Sequence, residues 1–198
     1  MTALALALLL TVRTYEGGGV PASDLEASRR VAGAILQRAG VSVSWFACPA
    51  ATGAWMPRPP CAQAPQRNEV LVRFVASSGH AAGVDERVLG NAFIDAGAAA
   101  GSLATLYVDR IEATAARVGL AAGVLLGRAM AHEIGHLLLG HSRHRDRGLM
   151  RAYWSDTTLR SRMAGDWMFV REDVQVMARN LAGRERESQF EVTRPAQH

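Results

Sequence analysis

The clearest absence in this 198-residue sequence is lysine, because all 22 basic residues are arginine. The arginines are scattered from Arg13 to Arg194, and the net charge is only +4. Proteins that bind nucleic acid carry a concentrated basic face, so we expect no nucleic-acid partner. Because 49% of the residues are hydrophobic and 20% are charged, the composition indicates a globular domain rather than a disordered chain.

Long hydrophobic runs at the start of the chain are also missing. The apolar segment at residues 1–12 is well short of the roughly 18 residues that span a bilayer, so we expect no stable membrane insertion. It has no basic leading region and no clear cleavage site, which are the marks of a signal peptide. The segment fits either the remnant of a trimmed signal peptide or a buried first strand, and we favour the strand.

Cysteine is scarce: the chain has only Cys48 and Cys61, and neither lies in a CxxC pair or beside a histidine. A metal-binding role for these cysteines is therefore disfavoured. They are either two buried thiols or a disulfide that closes the proline-rich loop between them, and we favour the disulfide. Disulfides persist in oxidising compartments, so a bridge predicts a protein that is secreted or located in the periplasm or cell envelope.

The first part of the chain alternates between strand and helix patterns. Residues 3–15 and 41–46 have the character of strands, and residues 24–39 between them have helical periodicity that ends at Gly40. A strand, a helix and a strand with short connections form a βαβ unit with parallel neighbours. Residues 47–67 are predicted to be a proline-rich loop.

The remaining elements follow the same kinds of pattern. Further strands are predicted at residues 69–76, 89–94 and 103–108, with a small-residue loop at 96–102. The pattern turns helical from Ile111. A main helix at about 120–139 is stopped by Gly140, an irregular segment covers 141–153, and a last helix covers about 171–181. No internal repeat is present.

The main helix carries the motif that indicates chemistry. His132 and His136 are four positions apart, so their side chains project from one face of the helix and can bind one metal ion. Glu133 can take a proton from a metal-bound water and give it to a leaving group. An ordinary helix with two histidines is the alternative. The apolar flanks argue against it, because unpaired polar groups on a buried helix are costly.

The run His132-Glu133-Ile134-Gly135-His136, followed by Gly140, a later histidine and Gly148-Leu149-Met150, resembles the metzincin clan of zinc peptidases, matrixins included. In that clan the helix breaks at a glycine, a third histidine completes the zinc site, and a methionine forms a turn beneath the metal. The resemblance implies an α/β (α+β) zincin fold, with a twisted mixed sheet, two helices and a small irregular C-terminal lobe that contains one helix. It also assigns Met150 to the Met-turn.

The third ligand has two candidates, because the spacing departs from the clan pattern HExxHxxGxxH. Gly140 is four positions after His136 instead of three, and His141 and His144 are five and eight positions after it instead of six. If Gly140 ends the helix, His141 points away from the metal, whereas His144 has enough extended chain to return. If the helix ends earlier, His141 can compete. We favour His144, with His141 as the alternative.

The resemblance extends beyond the motif. From His136 to Trp154 the sequence is similar to a group of uncharacterised bacterial exported proteins that are treated as zinc peptidases. Residues 41–48, residues 107–110 and the last helix share this similarity, so it covers most of the chain. It implies a fold but no particular substrate.

Together these observations predict one catalytic domain over residues 1–198, with an upper lobe at 1–140, a C-terminal lobe at 141–182 and a mobile tail at 183–198. The predicted function is that of a zinc-dependent endopeptidase with one Zn²⁺ per chain and a peptide or protein substrate. A zinc-bound water would attack the peptide carbonyl, with Glu133 as general base and acid. The alternatives are a non-catalytic zinc-binding module of the same fold and a zinc hydrolase acting on a non-peptide amide. A purely structural site has no use for Glu133, which favours an enzyme.

Overall fold

The structure is a computed structural model that describes residues 8–16, 19–49, 60–76, 87–95 and 100–192. The strands are β1 (Leu8–Glu16), β2 (Val41–Pro49), β3 (Glu69–Val75), β4 (Gly90–Asp95) and β5 (Ala100–Tyr107). The helices are α1 (Ala22–Arg38), α2 (Val108–Val118), α3 (Ala122–Leu139), α4 (Asp156–Arg160) and α5 (Arg171–Val192), with a short 3₁₀ turn at Ala164–Trp167.

The strands form one mixed sheet in the order β2-β1-β3-β5-β4. Strand β1 runs parallel to β2 and β3, β3 runs parallel to β5, and β4 is antiparallel to β5 at the edge of the sheet. The predicted βαβ unit is therefore present as β1, α1 and β2. The mixed sheet with its helices confirms the predicted α/β class.

Helices α1 and α3 pack against each other and against the same sheet. Helix α3 is the more deeply buried, since every residue from Ala129 to Leu139 is buried. A helix that is apolar on nearly all sides belongs in the interior, and this burial places His132 and Glu133 inside the protein. Neither α3 nor any other helix in the described ranges is long and apolar enough to cross a membrane.

A buried arginine of β1, on the face of the sheet away from α1 and α3, contacts the turn that carries Cys61. The Arg13 side chain is only 1% exposed and forms an ion pair with Glu69. Its guanidinium also donates hydrogen bonds to the carbonyls of Pro60 (2.6 Å) and Gln63 (2.8 Å). Because these bonds satisfy a charge that would otherwise be costly to bury, they hold the turn firmly against β1.

The disulfide between Cys48 and Cys61 is formed, as predicted. We expect thiol titration of the denatured, unreduced protein to find no free thiols, whereas two free thiols would refute the bridge. Reduction should remove roughly 2–4 kcal/mol of stability, because the bridge restricts the unfolded chain. The double variant Cys48→Ala/Cys61→Ala is the matched control, since its melting temperature should not respond to a reductant.

Several predicted boundaries were wrong in the middle of the chain. Strand β2 continues to Pro49, where a loop was predicted, and Val108 begins α2 instead of ending a strand. Part of the predicted small-residue loop is strand, because β5 begins at Ala100. A Cβ atom at Gly101 would lie 2.5 Å from Cδ2 of Leu137, so these small residues allow β5 to approach α3 closely.

The C-terminal part is more helical than predicted. Helix α5 continues past Leu181 and through Gly183 to Val192, a stretch assigned to a mobile tail, and α4 and the 3₁₀ turn were not predicted. Arg184 donates a hydrogen bond to the Leu137 carbonyl at the end of α3 (2.6 Å), a contact that no local pattern can indicate. The predicted features at 3–7, 50–59, 96–99 and 193–198 lie outside the described residues.

Candidate metal centre

Helix α3 brings His132 and His136 together one turn apart. Both side chains are buried, with residue exposures of 7% and 4%. Their Nε2 atoms are 3.1 Å apart. Residues four positions apart in a helix share a face, so this pairing follows directly from the spacing of the motif.

The third histidine of the cluster comes from the chain after the helix. Gly140 adopts the left-handed conformation (φ 71°) and its N–H donates to the His136 carbonyl, which ends α3 and reverses the chain. The Nε2 atom of His144 then lies 3.2 Å from that of His136. The structure therefore brings together the two helix histidines and the favoured third candidate, with one ligand atom each within 4.8 Å of the others.

Two of the three nitrogen separations suit a zinc ion. Zinc bound tetrahedrally to imidazole nitrogens at about 2.0–2.1 Å would hold them roughly 3.3 Å apart, close to the 3.1 and 3.2 Å that separate His136 from the other two histidines, and all three ligand atoms lie within 4.8 Å of one another. The Nδ1 atoms of the two helix histidines are hydrogen-bonded to backbone carbonyls, as the second nitrogen of a metal-binding histidine usually is. Nδ1 of His132 donates to the Leu149 carbonyl and Nδ1 of His136 donates to the His141 carbonyl, both at 2.9 Å. These bonds leave the Nε2 lone pairs free to bind a metal.

The electrostatics keep the cluster in its ligand form. Burial, and then the neighbouring His136, lower the pKa of His132 to about 3. Burial lowers the pKa of His136 to about 4 and also lowers the pKa of His144. Only neutral imidazole binds a metal, so at neutral pH no proton has to be displaced from these rings.

Glu133 lies beside the cluster and is 6% exposed. Burial raises the pKa of its carboxyl group to about 8. Its Cγ packs against Gly90 at the start of β4, where an added Cβ would come within 3.0 Å. The edge strand thus passes directly over this side chain, whose protonation can change close to neutral pH.

Met150 packs against helix α3, close to the two histidines that the helix carries. It is 1% exposed, and a Cβ atom at Gly135 would lie 2.8 Å from its sulfur and 2.6 Å from Cε1 of Phe169. Gly135, between the two histidines of α3, is therefore required for this close packing. Leu149, the residue before Met150, accepts the hydrogen bond from Nδ1 of His132 through its carbonyl.

His141, the alternative third ligand, occupies a different position. Its carbonyl accepts the hydrogen bond from His136, but its ring is not part of the three-histidine cluster found among the described residues. The ring is half-buried, and its Nδ1 atom has no hydrogen-bond partner among the described residues.

An open cleft of about 910 Å³ leads to the cluster. Its walls come from residues 87–92, from α2, from α3 and from residues 151–154. Trp154 forms part of this wall: its indole N–H donates to the Leu149 carbonyl (3.3 Å) and its ring meets that of His132 edge to face. Trp154 therefore links the wall of the cleft to one of the clustered histidines.

An ion pair near the cluster was missed in the sequence. Asp173 at the start of α5 is fully buried and accepts two hydrogen bonds from Arg145, which follows His144 in the chain. A signal was available, because Asp173 falls at helical spacing with Met177 and Leu181 on the buried face of α5. An acidic residue on an apolar stripe requires a buried partner.

We expect His144→Ala to weaken zinc binding by more than about a hundredfold, the upper end of what a supporting residue contributes. His141→Ala should weaken it by less than about tenfold, because the variant keeps the carbonyl that orients His136. Competition with a chromophoric chelator measures both affinities. The opposite order would identify His141 as the third ligand.

The fold is shared with solved structures of low sequence identity. Archaemetzincin from Methanopyrus kandleri matches with a TM-score of 0.57 and 15% identity, over 91% of this chain and 99% of that chain. Metalloproteinase-II from Bacteroides fragilis matches with a TM-score of 0.52 and 13% identity, over 88% of this chain and 54% of that chain. No protein-family model and no curated protein sequence matches. The chain therefore has the same fold as an archaemetzincin and a bacterial metalloproteinase.

Proposed function

We propose that the protein is a zinc-dependent endopeptidase of metzincin-like type. One zinc ion per chain would be held by His132, His136 and His144, with Glu133 as the general base and acid. The observation that carries the proposal is the convergence of three neutral imidazoles beside a buried glutamate in an open cleft. The similarity in fold to an archaemetzincin and a metalloproteinase supports it.

Zinc, when bound, supplies Lewis acidity that lowers the pKa of a water molecule and polarises a carbonyl group. Glu133 would accept the proton that the attacking water loses as its oxygen bonds to the peptide carbon. It would then deliver that proton to the amide nitrogen as the C–N bond breaks, so that a carboxylic acid and an amine are formed.

The environment of Glu133 suits both halves of this cycle. Burial alone brings its pKa to about 8, and a cation bound nearby would favour the charged carboxylate. A general base works best when its pKa lies near the working pH. The group can therefore both accept and return a proton in the neutral range.

A peptide substrate is favoured by the edge of the sheet. Strand β4 lies at one of the two edges of the described sheet, and its residues 90–92 line the cleft next to Glu133. Extended peptides bind such edges by forming backbone hydrogen bonds as an additional strand. A peptide paired with β4 would pass over the metal-binding histidines, which favours cleavage within a chain.

Two further assignments follow from the same geometry. Met150, packed against Gly135, would act as the Met-turn that supports the metal-binding helix from below. The disulfide between Cys48 and Cys61 is of the kind that persists in oxidising compartments. We therefore propose that the protein acts outside the cytoplasm, in the periplasm or cell envelope or after secretion.

The test is digestion of a diverse peptide library by the zinc-loaded protein, with the products identified by mass spectrometry. We expect cleavage at internal peptide bonds, loss of cleavage with a chelator and recovery on addition of zinc. A chain that binds zinc but cleaves no peptide would contradict the proposal. Hydrolysis of non-peptide amides by such a chain would indicate a different amide hydrolase, and no hydrolysis at all would indicate a non-catalytic zinc-binding module.

A further inference from the structure

Asp173 is a buried carboxylate that belongs neither to the cleft nor to the histidine cluster. Its Oδ1 accepts hydrogen bonds from Nε (3.0 Å) and Nη2 (2.8 Å) of Arg145. Its Oδ2 is buried with no hydrogen-bond partner within the described ranges. Burying a carboxylate is costly even when it is paired, so stability alone does not explain this residue.

Arg145 is fixed at two points immediately after His144. Its backbone N–H donates to the Met150 carbonyl (2.7 Å), and its backbone pairs with that of Arg151 in an isolated β-bridge. Its side chain binds Asp173 on α5. Arg143 and His144 are exposed, and the Arg145 side chain is itself 42% exposed, so this stretch of chain is held by the contacts of Arg145 rather than by burial.

We propose that Asp173, acting through Arg145, is a positioning residue for His144. This inference rests on the proposed function, because it requires the histidine cluster to bind zinc. The ion pair holds the chain where Nε2 of His144 already lies 3.2 Å from Nε2 of His136. Without the pair, an exposed segment would have to lose conformational entropy when the metal binds, which lowers affinity.

Helix α5 is well placed for this role because it contacts both segments that carry the clustered histidines, the end of α3 and the stretch after Gly140. Asn180 donates to the Leu138 carbonyl (2.9 Å) and Arg184 to the Leu137 carbonyl (2.6 Å), at the end of the helix that carries His136. Asp173, in the first turn of α5, holds the segment that carries His144. One helix thus holds both the end of α3, which carries His136, and the segment that carries His144.

The first test is the zinc affinity of Asp173→Asn, which keeps the shape of the side chain and removes its charge. We expect affinity to fall about 10- to 100-fold, the usual effect of losing a residue that supports a ligand. The matched control is Glu69→Gln, which removes the charge of the buried carboxylate that pairs with Arg13, away from the histidine cluster. It should lower stability but leave zinc affinity unchanged.

A double-mutant cycle separates positioning from general support of the fold. In a His144→Ala background, Asp173→Asn should cause no further loss of zinc affinity, because its effect passes through His144. An equal loss in both backgrounds, or no loss in either, would overturn the inference. If Asp173→Asn does not fold, Arg145→Lys enters the same cycle, since it keeps the charge but loses the paired contact. A wild-type chain that binds no zinc would refute the proposed function itself.

Discussion

Replacement of Glu133 by glutamine is expected to reduce kcat/KM for peptide hydrolysis by about 10²- to 10⁴-fold, the usual contribution of a general base. Glutamine has nearly the same shape but cannot accept the proton from water. Because Glu133 is not one of the three residues whose ligand atoms form the cluster, zinc content should remain at the wild-type level. Activity assays and metal analysis on the same preparation would check both expectations.

Two further measurements make this result specific. Glu112→Gln, on the exposed side of α2, makes the same chemical change outside the cleft and should keep full activity. Retention of activity by Glu133→Gln would show that another group accepts the proton. A large loss of zinc from that variant would mean that Glu133 supports the metal site instead.

The stability of the metal-free protein should also depend on Glu133. Burial raises the pKa of this carboxyl from 4.5 to about 8, so the folded chain holds its proton more tightly than the unfolded chain does. Its contribution to the free energy of unfolding should therefore be lost as the pH rises from about 4.5 to about 8. Glu133→Gln lacks this loss, so its stability relative to wild type should increase across that range. A constant difference would contradict the burial of an ionisable group.

The double variant His132→Ala/His136→Ala is expected to lose zinc binding entirely, because it leaves His144 as the one remaining histidine of the cluster. Zinc at a hundred times its dissociation constant should stabilise the wild type by about 2.7 kcal/mol, or roughly 5–10 °C in melting temperature for a chain of this size. The double variant should show no shift. His80→Ala/His198→Ala removes as many histidines but changes none of the three in the cluster, and it should keep the full shift. An equal shift in both variants would place the metal elsewhere.

The features that the sequence predicted well are those encoded by local periodicity. The helix with His132 and His136 follows from a four-residue spacing in an apolar segment, and Gly140 ends that helix as its backbone freedom suggests. The βαβ unit at the start follows from the alternation of strand and helix patterns. Local patterns suffice here because each element uses interactions between residues close in the chain.

The features that were missed depend on contacts between distant parts of the chain. The pairing of Arg145 with Asp173, and the support of α3 by Arg184, link residues that no periodicity connects. The early start of β5 depends on the close approach of Gly101 to α3. The sequence favoured His144 over His141 from the helix end at Gly140, the reach of the chain and the spacing of the clan pattern, but only the folded chain shows which ring lies beside His132 and His136.

The most direct test of the zinc site is anomalous diffraction from crystals of the zinc-loaded protein, with data collected on both sides of the zinc absorption edge. We expect one strong anomalous peak per chain, about 2.0–2.1 Å from the Nε2 atoms of His132, His136 and His144. A zinc ion bound elsewhere, or no peak within reach of these three nitrogens, would contradict the assignment of this cluster as the catalytic metal centre.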